Sequence, residues 1–223
     1  HRDARVETSV LTKEIQQILD HWEGVMSTWR ENSDLSRHNR GEAATADLQR
    51  VLDLAEQIRL DSKGYFDARV LHAVHRAGFA PAGQGIDLSG IGKGFAVDRV
   101  AERLRALGVN DFLFQLAGET IAGDHAWEVG VESPDPIARR VTKKIRLQQQ
   151  ALATSGNYRQ FRNSAEGIVS HIIDPRTGLP VIRGFSAVTV VARDAATADA
   201  WATALFVSGE QQGPEGTEVF WQK

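Results

Sequence analysis

The stretch Ile86-Asp87-Leu88-Ser89-Gly90-Ile91-Gly92-Lys93-Gly94-Phe95-Ala96-Val97-Asp98 constrains the fold more than any other part of this chain. It reads as a strand feeding a glycine-rich turn into an amphipathic helix. Gly90, Gly92 and Gly94 lack a Cβ, so backbone N–H groups can approach an anion, and Lys93 adds a point charge. The helix that follows turns the positive end of its dipole toward the same place. A P-loop would need a glycine five places before the Gly-Lys pair and a Ser or Thr after it; Asp87 and Gly94 stand there instead. The alternating glycines also miss the dinucleotide spacing. On this stretch alone, a plain tight turn and an anion cradle are both open.

The flanks of that stretch predict helices on its N-terminal side. Leu11, Ile15, Ile18, Leu19, Trp22, Val25 and Met26 recur at helical spacing between Ser9 and Trp29, with Ser9 or Thr8 as cap. Arg30 to Glu42 is polar and reads as an irregular loop, either facing a ligand or simply solvated. Thr45 caps a second amphipathic helix running to about Ser62, and a short helical piece, Val70 to Ala77, stops at Gly78. His72 and His75 on that piece are either a metal pair or ordinary helix histidines.

C-terminal to the glycine turn, Val97, Val100, Ala101, Leu104 and Leu107 form one inward stripe that Gly108 closes. Strand-like segments follow at Asp111 to Leu116, Trp127 to Glu132, Val141 to Leu147, Ala151 to Thr154, Ile168 to Ile173 and Phe185 to Ala192. Short turns join many of them, which predicts antiparallel pairing. Asp194 caps a last helix that ends at Gly209, and Thr217 to Trp221 reads as a final strand. Strands and helices mix without strict alternation, so the expected fold class is α+β, with layered, mostly antiparallel sheets and helices packed outside.

Three groups of residues carry candidate chemistry. Asp199 and Thr203 stand four apart on the last helix, so their oxygens share one face and could hold a hard cation such as Mg²⁺. The alternative is an Asp stabilised by the helix dipole and a Thr bonded back to a carbonyl. Thr154, Ser155 and Gly156 end a strand in a turn that offers donors to a phosphate, or is only a turn. His171, inside a strand, either handles a proton or is structural. The chain has no cysteine and a net charge of −3, which excludes thiolate chemistry and disfavours nucleic acid as a partner. It lacks a Gly-x-Ser-x-Gly elbow, a zinc helix and an EF-hand loop, and no apolar stretch is long enough to span a bilayer.

Read in order, these segments resemble the ApbE family of FAD:protein FMN transferases. The likeness runs through Met26 to Trp29 with Ser33 to Asn39, Gly64 to Asp67, Asp87 to Asp98, Ala117 to Glu119, Ala153 to Tyr158, His171 to Gly178, and Asp199 to Leu205. The resemblance implies a Mg²⁺-dependent enzyme that binds FAD, splits it, and attaches FMN covalently to a Thr or Ser of a partner flavoprotein, releasing AMP. It implies Asp199, Thr203 and a main-chain carbonyl, that of Gly92, as metal ligands. Lys93, His171 and the turn at Thr154, Ser155 and Gly156 would meet the diphosphate, with Met26, Ser36, Asn39, Asp87, Gly118 and Glu119 in the flavin and adenosine pocket. Lys93, His171 and Asp199 would be the catalytic set, the base being Asp199, Asp174 or His171.

Some features depart from the family pattern. Ala117-Gly118-Glu119 replaces Gly-Gly-Asp, and Asp67-Ala68-Arg69 replaces Asp-Pro-Thr. The family's early Met-Gly-Thr strand is absent and the link from Gly78 to Ile86 is short. The sequence 1–223 is therefore expected to be a single ApbE-like domain with an N-terminal strand and loops missing. The resemblance also implies a periplasmic setting, with any export leader absent from this sequence, and a membrane-associated acceptor. A NosX-like member serving nitrous oxide respiration is one version. The alternative activity is a carrier that binds FAD or FMN without transferring it.

Overall fold

The computed structural model describes residues 6–138, 140–164, 167–181, 184 and 186–223. Its centre is a five-stranded antiparallel sheet in the order β1-β2-β5-β10-β11, formed by Leu113–Leu116, Glu119–Ala122, Ala151–Gly156, Ala187–Ala192 and Glu218–Gln222. Strand β10 is buried at every position because both of its faces are covered. Val188 and Val190 pack against Leu205 and Phe206 of the last helix, α6 (Ala195–Ser208). Val191 faces the other way, onto Val129, Ile145 and Leu147 of a hairpin made by β3 (Trp127–Glu132) and β4 (Val141–Leu147). A strand covered on both sides loses the apolar-polar alternation and reads as a continuous apolar run.

Helix α6 is a middle layer. The sheet lies on one side of it; α5 (Gly92–Ala106) and α3 (Ala46–Asp61) lie on others, and α1 (Thr8–Met26) covers α5. Ala196, Ala200 and Ala204 meet the α1/α3/α5 core, while Ala198 meets Ala153 and Ala192 of the sheet. Alanines with high helix propensity and little bulk let backbone approach backbone from both directions. The α+β expectation holds, with antiparallel sheets throughout, though α6 is an inner helix rather than an outer one.

Local signals set most of the element ends. The Thr45 side chain accepts from Leu48 N–H at the start of α3, Asp194 accepts from Thr197 N–H at the start of α6, and Gly209 takes the left-handed φ of +80° that closes α6. The first helix begins at Thr8 with Glu7 as an N-cap that makes no side-chain bond, so neither Ser9 nor Thr8 is its cap.

Other expectations give way to longer-range contacts. Ile86 to Leu88 joins no sheet: Asn39 clamps both backbone groups of Ile86 at 2.8 Å each, and Asp87 N–H donates to the Ala68 carbonyl. The expected loop at 30–42 contains a helix, α2 (Asp34–Asn39), capped by Ser33. The expected strand from Ile168 to Ile173 is two, β7 (Gly167–Ser170) and β8 (Ile173–Asp174). Phe185, the expected first residue of β10, lies outside the described residues. Strands β2, β6 (Phe161–Ser164) and β9 (Leu179–Pro180) have no counterpart in the sequence reading.

Candidate functional site

A cavity of about 660 Å³ opens where the C-terminal end of β5, the start of α5, the middle of α6 and the β7–β8 link converge. That size is ordinary for a cofactor or substrate site. Lys93, Asp199, Thr203, Thr154, Ser155, Gly156, His171, Asp87, Gly118 and Glu119 all border it. Met26, Ser36, Asn39 and Gly92 do not. Met26 packs in the core beneath α5 with its sulfur 3.4 Å from where a Cβ of Gly92 would lie. Ser36 Oγ donates to the Ser27 carbonyl, and both amide atoms of the Asn39 side chain are spent on Ile86. Gly90, two residues before Gly92, is the turn glycine that borders the cavity, and a Cβ there would sit 3.3 Å from Thr203 Oγ1.

The centre of the cavity is a charge cluster joined across the α5–α6 contact. Lys93 Nζ lies 2.7 Å from Glu119 Oε1 and 3.3 and 3.4 Å from the two oxygens of Asp199. The Asp199 side chain is 3 % exposed, and its Oδ2 also accepts the Gly94 N–H at 3.0 Å. That approach requires glycine, because a Cβ on Gly94 would overlap the Ala195 carbonyl oxygen. Burial pulls the Lys93 ammonium toward neutrality, but Asp199 and Glu119 together outweigh it and hold Lys93 charged well above its ordinary value. Burial and the nearby Asp199 charge push the Glu119 carboxyl up against the pull of Lys93. Glu119 Oε2 is buried and has no hydrogen-bond partner among the described residues, so the cluster has unused acceptor capacity.

Hydroxyls flank this cluster. Thr203 Oγ1 lies 3.0 Å from Ser155 Oγ, so its hydroxyl meets the end of β5 instead of a carbonyl of its own helix. Thr154 is on the opposite strand face, 2.8 Å from Thr189 Oγ1. Thr154, Ser155 and Gly156 are the last residues of β5, not a turn. Thr203, Asp199 and the Gly90 turn make a small oxygen-rich corner. Among the described residues no group of three His, Cys, Asp or Glu side chains gathers anywhere. Such a sparse set fits Mg²⁺, which keeps several waters and takes further oxygens from a bound phosphate. It does not fit a zinc cage, which needs nitrogen or sulfur ligands. Of the two readings of His72 and His75, ordinary helix histidines fit better, His75 Nδ1 lying 3.1 Å from the Ala80 carbonyl.

His171 approaches from the other wall, in the link between β7 and β8 and not inside a strand. Ser170 Oγ accepts from Ile172 N–H at 3.1 Å, which fixes the backbone on either side of it. Its Nδ1 lies 3.2 Å from the Gln160 carbonyl, an acceptor only, so Nδ1 carries the proton and Nε2 keeps its lone pair. Burial, helped by the Lys93 charge and opposed by the Gln160 bond, depresses its basicity below the ordinary imidazole range. Asp174 does not border the cavity. The Arg176 guanidinium grips both of its oxygens at 3.0 and 2.8 Å and holds its carboxyl below the usual range.

Sequence reasoning missed the cavity's aromatic and ionic rim. Trp29, Tyr65 and Phe79 line it, Trp29 with 70 % of its surface exposed, and Arg159 pairs with Glu132 at the hairpin edge. Trp29 beside the polar run 30–42 was the one cue in the sequence, and its exposure was decided by the tertiary structure.

The ApbE family model matches residues 2–85 and 78–220. The FAD:protein FMN transferase of Vibrio cholerae serotype O1 is 30% identical, over 93% of this chain and 76% of its own length. The protein of the same name from Haemophilus influenzae is 30% identical over 92% of this chain and 75% of its own. The Pseudomonas stutzeri flavinyl transferase ApbE, in its apo form, superposes with a TM-score of 0.80 at 25% identity, covering 98% of this chain and 87% of that one. The flavin transferase ApbE from Vibrio cholerae gives 0.78 at 25% identity, covering 100% and 91%.

Proposed function

Because the chain belongs to the ApbE family, we propose that it is an FAD:protein FMN transferase, the name carried by its Vibrio and Haemophilus relatives. It binds FAD, splits the diphosphate, and joins the FMN half to a Thr or Ser hydroxyl of a partner flavoprotein while AMP leaves. One observation carries the reading. Lys93 and Asp199, 106 residues apart in sequence, meet in a cavity of cofactor size whose other wall offers a neutral imidazole.

Phosphoryl-type transfer needs positioning and charge neutralisation more than an unusual nucleophile. Asp199, Thr203 and a main-chain carbonyl of the Gly90–Gly92 turn would hold Mg²⁺, which when bound neutralises diphosphate charge and acts as a Lewis acid. Lys93, held charged by its two carboxylates, contributes the protein's own cation to the same oxygens. Ser155 and Gly156, at the end of β5 on the cavity, would present donors to the phosphate. Of the candidate bases, Asp174 is spent on Arg176, and Asp199 is committed to the cation site, bonded besides to Lys93 and Gly94. That leaves His171, whose Nε2 takes the proton of the acceptor hydroxyl. The hydroxyl oxygen bonds to the phosphorus of the FMN half as the bond from that phosphorus to the bridging oxygen breaks, and AMP departs with that oxygen.

Support for the setting comes from the family resemblance: a periplasmic enzyme serving a membrane-associated acceptor. Among the described residues no helix is long and apolar enough to cross a membrane. The test is mass spectrometry of FAD, Mg²⁺ and purified candidate acceptor flavoproteins incubated with the protein. AMP release together with an FMN-sized gain on the acceptor is the expected result. FAD that binds yet stays intact would make the protein a carrier, and AMP with free FMN would make it a pyrophosphatase.

A further inference from the structure

Outside the cavity, the most unusual charged group is Asp98, on α5 one turn after Gly94. It is 7 % exposed, and its two oxygens accept the N–H groups of Ala195 and Ala196, at 2.8 and 2.9 Å. Those amides open α6, which already has a cap of its own in Asp194, bonded to Thr197 N–H. A second carboxylate at the same helix end is expensive: burial pushes the Asp98 carboxyl up to about 7 in spite of the two bonds. A helix end needs its amides satisfied, but water or a local side chain does that at lower cost.

What Asp98 adds is a bond from a different helix. Gly94 and Asp98 lie on one face of α5, and together they hold α6 at both ends of its first turn. Asp98 takes the amides of residues 195 and 196; Gly94 gives its N–H to the Asp199 carboxylate and rests its bare Cα against the Ala195 carbonyl. The Asp199 and Thr203 oxygens can face the Gly90 turn only while α6 keeps this register against α5. Ligand atoms of a metal site are commonly held this way by groups that never touch the metal.

We propose that Asp98 is a positioning residue that sets the register of α6 against α5 and thereby the metal affinity of Asp199 and Thr203. This rests on the reading of Asp199 and Thr203 as a Mg²⁺ site, so the test separates the two. Mn²⁺ serves as the probe, with ADP supplying the diphosphate, and free Mn²⁺ is counted by electron paramagnetic resonance. Asp98→Asn keeps the shape but puts a donor against an amide. It should weaken Mn²⁺ binding about 10- to 100-fold, the usual scale for an outer-shell partner, while metal-free ADP binding stays within about twofold of the parent. Asp194→Ala removes the other cap of the same helix. It should lower thermal stability and leave Mn²⁺ affinity within about twofold of the parent, because it breaks no bond to α5.

Equal losses of Mn²⁺ affinity in both variants, in step with stability, would reduce Asp98 to an ordinary cap and overturn the proposal. Unchanged Mn²⁺ affinity in Asp98→Asn would do the same. If Asp98→Asn does not fold, Asp98→Glu keeps the charge on a longer arm, and parental Mn²⁺ affinity there counts equally against the role. Asp199→Ala is the control for the metal reading itself. If it binds Mn²⁺ as the parent does, the metal site is misplaced whatever the Asp98 variants show.

Discussion

The two walls of the cavity are built on different terms. On the helix side, Asp199, Gly94 and Asp98 are buried and joined by direct bonds between α5 and α6, with glycine and alanine at the contact. On the strand side, His171 rests on a single carbonyl and an edge contact with Phe79, and the rim is tied by the half-exposed Arg159–Glu132 pair. Under the proposed function the first wall would face the diphosphate of FAD, for which a rigid preorganised cluster is worth most. Under the same proposal the second would receive the acceptor polypeptide, and the contacts that line it are ones a partner can displace at low cost. Substitutions on the helix side should therefore damage FAD binding and folding, and those on the strand side should damage transfer while FAD still binds.

The sharpest way to break that contrast is His171→Ala. Transfer should fall by about 10²- to 10⁴-fold, the usual contribution of a positioned base, with FAD affinity nearly unchanged by fluorescence titration. An equal loss of FAD affinity would move His171 to the nucleotide-binding side. The parent's pH profile refines this. With His171 as the proposed base its neutral form is the active one, and its basicity is depressed below the ordinary value of 6.5, so activity should drop only as pH falls below that value. Removing the Lys93 charge should move the midpoint upward.

Lys93→Ala comes next. It leaves Glu119 and Asp199 side by side with no cation and removes the contact to the diphosphate, so FAD should bind about 10- to 100-fold more weakly, the worth of a charge-assisted bond. Unaltered affinity would take Lys93 out of the site. Gly94→Ala tests the rigidity of the same wall without removing any charged group. Its Cβ overlaps the Ala195 carbonyl, and overpacking of this kind costs about 1–3 kcal/mol, readable by denaturant titration. Glu132→Gln should do least, within about 1 kcal/mol of stability as for other exposed pairs, and any effect should appear in the KM for the acceptor and not in that for FAD.

The two walls were also unequally legible. On the helix side the sequence indicated the glycine turn, Lys93, and the Asp199–Thr203 pair at one-turn spacing, and the structure brings Gly90, Lys93, Asp199 and Thr203 to one cavity. On the strand side the sequence places His171 inside one continuous strand and marks no strand at β6, whose Phe-Arg-Asn-Ser run has no apolar alternation. The pocket set read from the resemblance divides in the same way. Asp87, Gly118 and Glu119 border the cavity, whereas Met26 packs in the core and Ser36 and Asn39 bond to backbone.

Caps and periodicity belong to the sequence because they act between residues three or four apart. Thr45, Asp194, Gly209 and the stripe of α5 could therefore be read before any fold was known. Only the tertiary structure decided that Asp98 reaches the start of α6 from 97 residues away, that Asn39 clamps Ile86 across 47, and that Lys93 has two carboxylates to share. Each of those bonds forms only after a long loop has closed, so its partner is chosen by packing and leaves no local trace.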